Sequence, residues 1–181
     1  MAEIPLSSPD ITKAEIDLVN QVLRTRYLSL GPMLERFEER MAEYLGVRYA
    51  IGVSSGTAGL HICVRAANLG EGDEVITTSF SFVASSNCIL FERARPVFVD
   101  IEPDSLNLDV EQVEAAISPH TKAILPVHAF GQPCRMDRLL QIAEKHGLLV
   151  IEDACEALGA EYRGRKAGTL GDAGGFAFYP N

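Results

Sequence analysis

The chain has 181 residues and a formal net charge of −9, from 16 Lys and Arg against 25 Asp and Glu, with a pI near 4.9. That length supports a sizeable core without disulfide or metal staples, and the acidity argues against the basic surface that nucleic-acid binding requires. At 47% hydrophobic and 23% charged residues the composition is globular, with no apolar run of bilayer length and hence no expected membrane partner.

The opening MAEIPLSSPDITKAEID places Glu3, Asp10 and Glu15 where a secretory signal needs a basic start and an unbroken apolar stretch, so the expected compartment is the cytoplasm. Lys13 to Thr25 and Leu34 to Leu45 then carry apolar residues at helical spacing, the second closed by Gly46. From Tyr49 onward short β-rich runs alternate with helical stretches: YAIGV, Ala58 to Leu69, VITT, Phe80 to Phe91, PVFVDI and Asp109 to Ile117. The alternation continues through KAILPVH, Met136 to His146, LLVIED and GGFAFY. Parallel neighbours need crossovers, and each crossover here is helix-sized, so the expected class is α/β with a mostly parallel sheet covered on both faces. No linker divides the later part, which gives an N-terminal helical segment over 1–48 and one α/β domain over 49–181. Cys63, Cys88, Cys134 and Cys155 form no C-x-x-C pair and read as reduced, buried thiols, and no metal site is expected.

Ligands of an open parallel sheet collect at the carboxyl ends of its strands, which directs attention to Ser54–Thr57, Thr77–Phe82, Asp100, His128 and Glu152–Asp153. In SSGTAG, from Ser54 to Gly59, small residues between a strand and a helix let exposed N–H groups and the positive helix end meet a phosphate. A plain turn, with Gly56 permitting positive φ and a hydroxyl capping the helix, fits the same residues. Asp153 ends an apolar run, where a carboxylate needs a cation or donors. It can be a metal ligand, a helix cap, or the counter-ion of a protonated ring nitrogen. Of Phe80 and Phe82, alternating with Ser, one ring is expected inward and one toward the cleft, with core packing as the plain alternative. His128 could be an acid–base group or a metal ligand, but only four His exist and no second ligand sits at a recognisable spacing, so it reads as a donor behind the site. Tyr162 to Lys166 concentrates positive charge that could meet a substrate phosphate or form a solvated turn.

In their order, SSGTAGL, TTSFSFVASSN, PVFVDIEPDSLNLD, LPVHAFGQPCRMD, LLVIEDACEALGAEYRGRKAGTLGD and FAFYPN resemble the DegT/DnrJ/StrS family of pyridoxal-phosphate sugar aminotransferases. The resemblance runs to Asn181 and covers the large domain of the family's aspartate-aminotransferase-like fold, type I, without the C-terminal small domain. It implies that 49–181 binds pyridoxal phosphate. Gly56, Thr57 and Ala58 are similar to the turn that holds the cofactor phosphate, Phe82 to the aromatic stacked on the ring, and Asp153 to the carboxylate paired with the ring nitrogen. Glu156 matches a variable His, Gln or Glu position near the phenolic oxygen, where the family resemblance associates Glu with amination at C4 of the sugar. Apart from the resemblance, His128 at the end of KAILPVH is expected as a substrate contact.

The family pattern Ser-Phe-x-Pro-x-Lys reads here as Ala177-Phe178-Tyr179-Pro180-Asn181. Ala177 thus replaces a serine that touches phosphate, and the catalytic lysine is expected directly after Asn181. By resemblance the expected reaction moves an amino group from glutamate to a nucleotide-linked keto sugar, in polysaccharide or antibiotic sugar biosynthesis, by a homodimer with shared active sites. The alternatives are a non-catalytic relative that binds cofactor or sugar nucleotide for regulation, and an aminotransferase for a cyclitol or cyclic keto acid.

Overall fold

Five parallel strands form the sheet that positions everything else in the computed structural model, which describes residues 8–179. They are β1 (Glu74–Thr78), β2 (Arg95–Val99), β3 (Thr121–Ile124), β4 (Leu149–Asp153) and, after a two-stranded hairpin of β5 (Glu161–Tyr162) and β6 (Arg165–Lys166), β7 (Ala173–Gly175). The order is β2-β1-β3-β4-β7, so the chain reverses its direction across the sheet between β1 and β3. At such a reversal the connections diverge, and a crevice opens at the carboxyl ends.

Alternation along the strands sorts their side chains onto two faces. Val75, Ala123, Leu125 and Ile151 pack with Leu60 and Val64 of α3 (Gly56–Ala66) and with Ala84, Cys88 and Ile89 of α4 (Ala84–Phe91). Their neighbours Ile76, Ile124 and Val150 pack the other way, against Val110 and Val113 of the short α5 (Val110–Val113) and Met136, Leu139 and Ile142 of α6 (Met136–His146). The expected mostly parallel sheet with helices on both faces is therefore present. Local signals set the helix ends: α6 stops where Gly147 takes a left-handed φ of 66°, which a Cβ would oppose.

The described residues divide into two compact units, 8–52 with 179, and 53–178. In the first, α1 (Lys13–Leu23) opens with a capping box: Thr12 Oγ1 accepts from the Ala14 N–H, and Glu15 accepts from the Thr12 N–H. Pro32 starts α2 (Pro32–Leu45), and left-handed Gly46 ends it. Three expected elements differ. Tyr49–Val53 forms no strand; the Gly52 N–H donates to Glu38 Oε1 at 2.7 Å instead of to a neighbouring strand, without which a β-rich run gains no ladder. The expected helix from Phe80 begins only at Ala84, because Phe80–Val83 turns off β1 with the Phe80 N–H bonded to Thr78 Oγ1. GGFAFY is extended only to Gly175 in the sheet, where its partner β4 also ends. Pro180 and Asn181 lie outside the described residues.

Candidate functional site

The turn into α3 presents backbone N–H groups from which an anion could accept hydrogen bonds. Ser55 caps the helix, its Oγ accepting from the Ala58 N–H at 3.1 Å, and Gly59 N bonds Ser55 O. The N–H groups of Gly56 and Thr57 have no acceptor within the helix, as the first turn requires, and stand at its positive end. Gly56 does not have positive φ. Its smallness answers another demand: a Cβ there would stand 2.8 Å from Ala177 Cβ and 3.0 Å from Cys155 Sγ.

That close approach joins three segments distant in sequence. Cys155 follows Asp153, and its N–H donates to Asp153 Oδ1 at 3.2 Å. Asp153 is 5% exposed at the end of β4, and its Oδ2 accepts from Ser85 Oγ at 2.6 Å. Ser85 lies on the first turn of α4, three residues beyond Phe82. Each carboxylate oxygen therefore keeps a lone pair beyond its named protein donor. Burial, followed by the Asp153 charge, pushes the Cys155 thiol well above its usual range, so this sulfur packs as a neutral group.

Phe82 is 76% exposed and Phe80 is also exposed, its ring in an edge contact with Phe130 at 6.2 Å. The expected inward-facing member of the pair is thus absent; both rings lie at the strand-end surface. Glu156 is exposed, and its Oε2 accepts from the Phe130 N–H at 3.0 Å, which holds Phe130 at a φ of 52°. In this conformation Glu156 is engaged with that loop.

His128 requires a correction. It is fully buried, its Nδ1 accepts from the Cys134 N–H at 3.2 Å, and its Nε2 lies 2.9 Å from Glu152 Oε2. Because Nδ1 accepts, the proton sits on Nε2 and is donated to Glu152. Neither nitrogen is available to a substrate, so the expected substrate contact is set aside. The charge-bearing partner, Glu152, also accepts from the N–H groups of Gly168, Leu170 and Gly171, at 2.8, 2.6 and 2.7 Å. The basic hairpin is likewise committed locally: Arg163 pairs with Asp137 and lies over the Tyr162 ring, Arg165 bonds Thr169 O, and Lys166 pairs with Glu161. Ala177 offers no hydroxyl and packs beside Gly56.

Sequence reasoning missed Ser85 and the hub role of Glu152. The signal available for Ser85 was its place in TTSFSFVASSN, the segment that leaves a strand end and also carries Phe82.

Together, the free N–H groups at Gly56 and Thr57, the open ring of Phe82 and the anchored Asp153 carboxylate suit a planar cation-bearing ring with a phosphate tail. The chain matches the DegT/DnrJ/EryC1/StrS aminotransferase family over residues 9–181 and belongs to that family, whose members use pyridoxal phosphate. It is similar to GDP-perosamine synthase of Caulobacter vibrioides, 44% identical over 182 residues, which are 100% of this chain and 49% of that protein. A Streptococcus pneumoniae protein solved in its PLP form superposes with a TM-score of 0.95 at 34% identity, covering 98% of this chain and 49% of that one. The structure of DesI in the presence of its TDP-sugar product gives a TM-score of 0.84 at 42% identity, with 91% and 42% covered. The chain spans about half the length of these relatives.

Proposed function

We propose that this chain carries the cofactor-binding part of an aminotransferase that moves an amino group from glutamate to a keto sugar linked to a nucleotide. The observation that carries the reading is the Asp153 carboxylate, buried at the strand ends, held by Ser85 and Cys155, and joined by contact to the Gly56 turn. When bound, the cofactor supplies an electron sink for proton transfer at the substrate carbon. The chain's own residues prepare for it. Gly56 and Thr57 offer N–H groups to its phosphate, with Ala58 next in the same turn. Phe82 offers a ring face, and Asp153 holds a proton on the ring nitrogen. Glu156 stands beside the Phe130 loop as the residue that would favour the C4 position of the sugar. The amine that carries the cofactor is assigned to a lysine following Asn181.

In this reading 49–181 is the cofactor-binding domain and 1–48 a helical segment, the protein works in the cytoplasm, and two copies form the active unit. The nucleotide-sugar substrate is supported by the names of the relatives, and the glutamate donor by the family resemblance alone.

The test uses the complete protein. A visible absorbance band that bleaches with glutamate is expected, with amination of a 4-keto nucleotide sugar seen by NMR of the product. Asp153→Ala should retain a folded protein able to take up cofactor while lowering turnover by at least about 100-fold, a loss of roughly 2.7 kcal/mol of transition-state stabilisation. Wild-type turnover in cofactor-loaded Asp153→Ala refutes the role of Asp153. Uptake of cofactor without bleaching by glutamate favours the non-catalytic reading, to which Ala177 in place of the family serine lends support.

A further inference from the structure

Two adjacent serines on α4 behave differently. Ser86 makes the ordinary helical bond, its Oγ donating to Val83 O at 3.0 Å. Ser85 is 1% exposed, and its Oγ lies 2.6 Å from Asp153 Oδ2, 2.6 Å from Ser81 Oγ and 3.2 Å from Phe82 O.

A hydroxyl has one proton and two lone pairs. The carboxylate is both the nearer and the stronger acceptor compared with the Phe82 carbonyl, so Ser85 gives its proton to Asp153. It then accepts from Ser81, and the proton order is Ser81 to Ser85 to Asp153. Each O–H polarises the next, which strengthens the bond that reaches the carboxylate. With Cys155 N–H on Oδ1, the carboxylate is gripped at both oxygens and its plane is fixed.

We infer that Ser85, backed by Ser81, is a positioning residue for Asp153: a two-hydroxyl chain that orients the carboxylate toward the ring nitrogen of the cofactor. The inference rests on the cofactor reading given above. Ser85 touches neither substrate nor cofactor in this role; it acts through Asp153. Its main-chain position, one turn beyond Phe82, also makes the same loop set the stacking face and the ring-nitrogen partner.

The experiment reconstitutes the complete protein with pyridoxal phosphate labelled with 15N in the ring, and compares wild type, Ser85→Ala, Ser85→Thr and Ser81→Ala. Ser85→Ala is expected to weaken cofactor binding about tenfold and to move the ring 15N resonance toward that of neutral pyridine. Ser85→Thr, which keeps the hydroxyl, should restore both. Ser81→Ala, at an exposed position, should move the resonance in the same direction by less, and it carries the test by itself if Ser85→Ala does not fold. A serine that only supports the fold would lower stability without moving the resonance, so an unchanged 15N signal in these alanine variants overturns the inference. Wild type that takes up no cofactor overturns the proposed function and this inference with it, whereas cofactor-loaded wild type with an unaffected Ser85→Ala overturns the positioning role alone.

Discussion

Replacing Glu152 by Gln tests whether one buried carboxylate organises the loop that runs from β6 to β7. Glu152 is fully buried and collects four donors, with Leu170 and Gly171 N–H on Oε1 and Gly168 N–H and His128 Nε2 on Oε2. An amide keeps one accepting oxygen and turns the other end into a donor. Whichever way it is placed, two hydrogen bonds to a charged group are lost and N–H groups face each other. The imidazole cannot relieve this by moving its proton, since Nδ1 already accepts from Cys134 N–H. At about 1.5–3 kcal/mol for each bond to a charged group, the loss is roughly 3–6 kcal/mol, a large share of the about 5–15 kcal/mol that stabilises ordinary domains. Equilibrium urea unfolding followed by circular dichroism should show a midpoint lower by about 2 M, given a slope of about 2 kcal/mol/M. Amide hydrogen exchange at Gly168, Leu170 and Gly171 should accelerate selectively. A midpoint within about 0.3 M of wild type, with unchanged exchange at these amides, refutes the hub.

Gly56→Ala should destabilise by about 1–3 kcal/mol and weaken cofactor uptake, since Ala177 Cβ is backbone-anchored and cannot turn away. Thermal denaturation of Gly56→Ala, Ala177→Gly and the double variant checks this, with additive effects counting against a direct clash. On the protein's surface, the Lys145 ammonium at 2.5 Å and His146 at 3.0 Å hold the Glu114 carboxyl at about 2. Because this folded value lies below the unfolded one of about 4.3, the contribution is complete above that pH and is lost as pH falls toward 2. An NMR titration should place Glu114 near 2. Lys145→Met should move it toward the ordinary carboxylate range, and an unmoved midpoint would show that the pairing does not set it.

Family membership was legible in the ordered motifs, and much of the architecture was legible in local patterns. Helix α2 could be read from its apolar spacing and the terminal Gly46, because both act within a few residues. The β-rich cores of β1 to β4 could be read for the same reason, and the helical crossovers between them required parallel pairing. Asp153 was legible as a carboxylate at the end of an apolar run that had to find donors.

Which donors it found was decided by tertiary structure. Ser85 is 68 residues away in the chain, and only the placement of β1 and β4 on either side of β3 brings the two together. The same holds for Gly56: the sequence marks a small residue before a helix, but the 2.8 Å approach to Ala177 is a product of packing. Tyr49–Val53 shows the converse, since a β-rich run has the intrinsic preference yet gains nothing without a strand beside it. Local chemistry specifies what a segment can form, while hydrogen-bond partners and close contacts depend on which distant segments the sheet order makes neighbours.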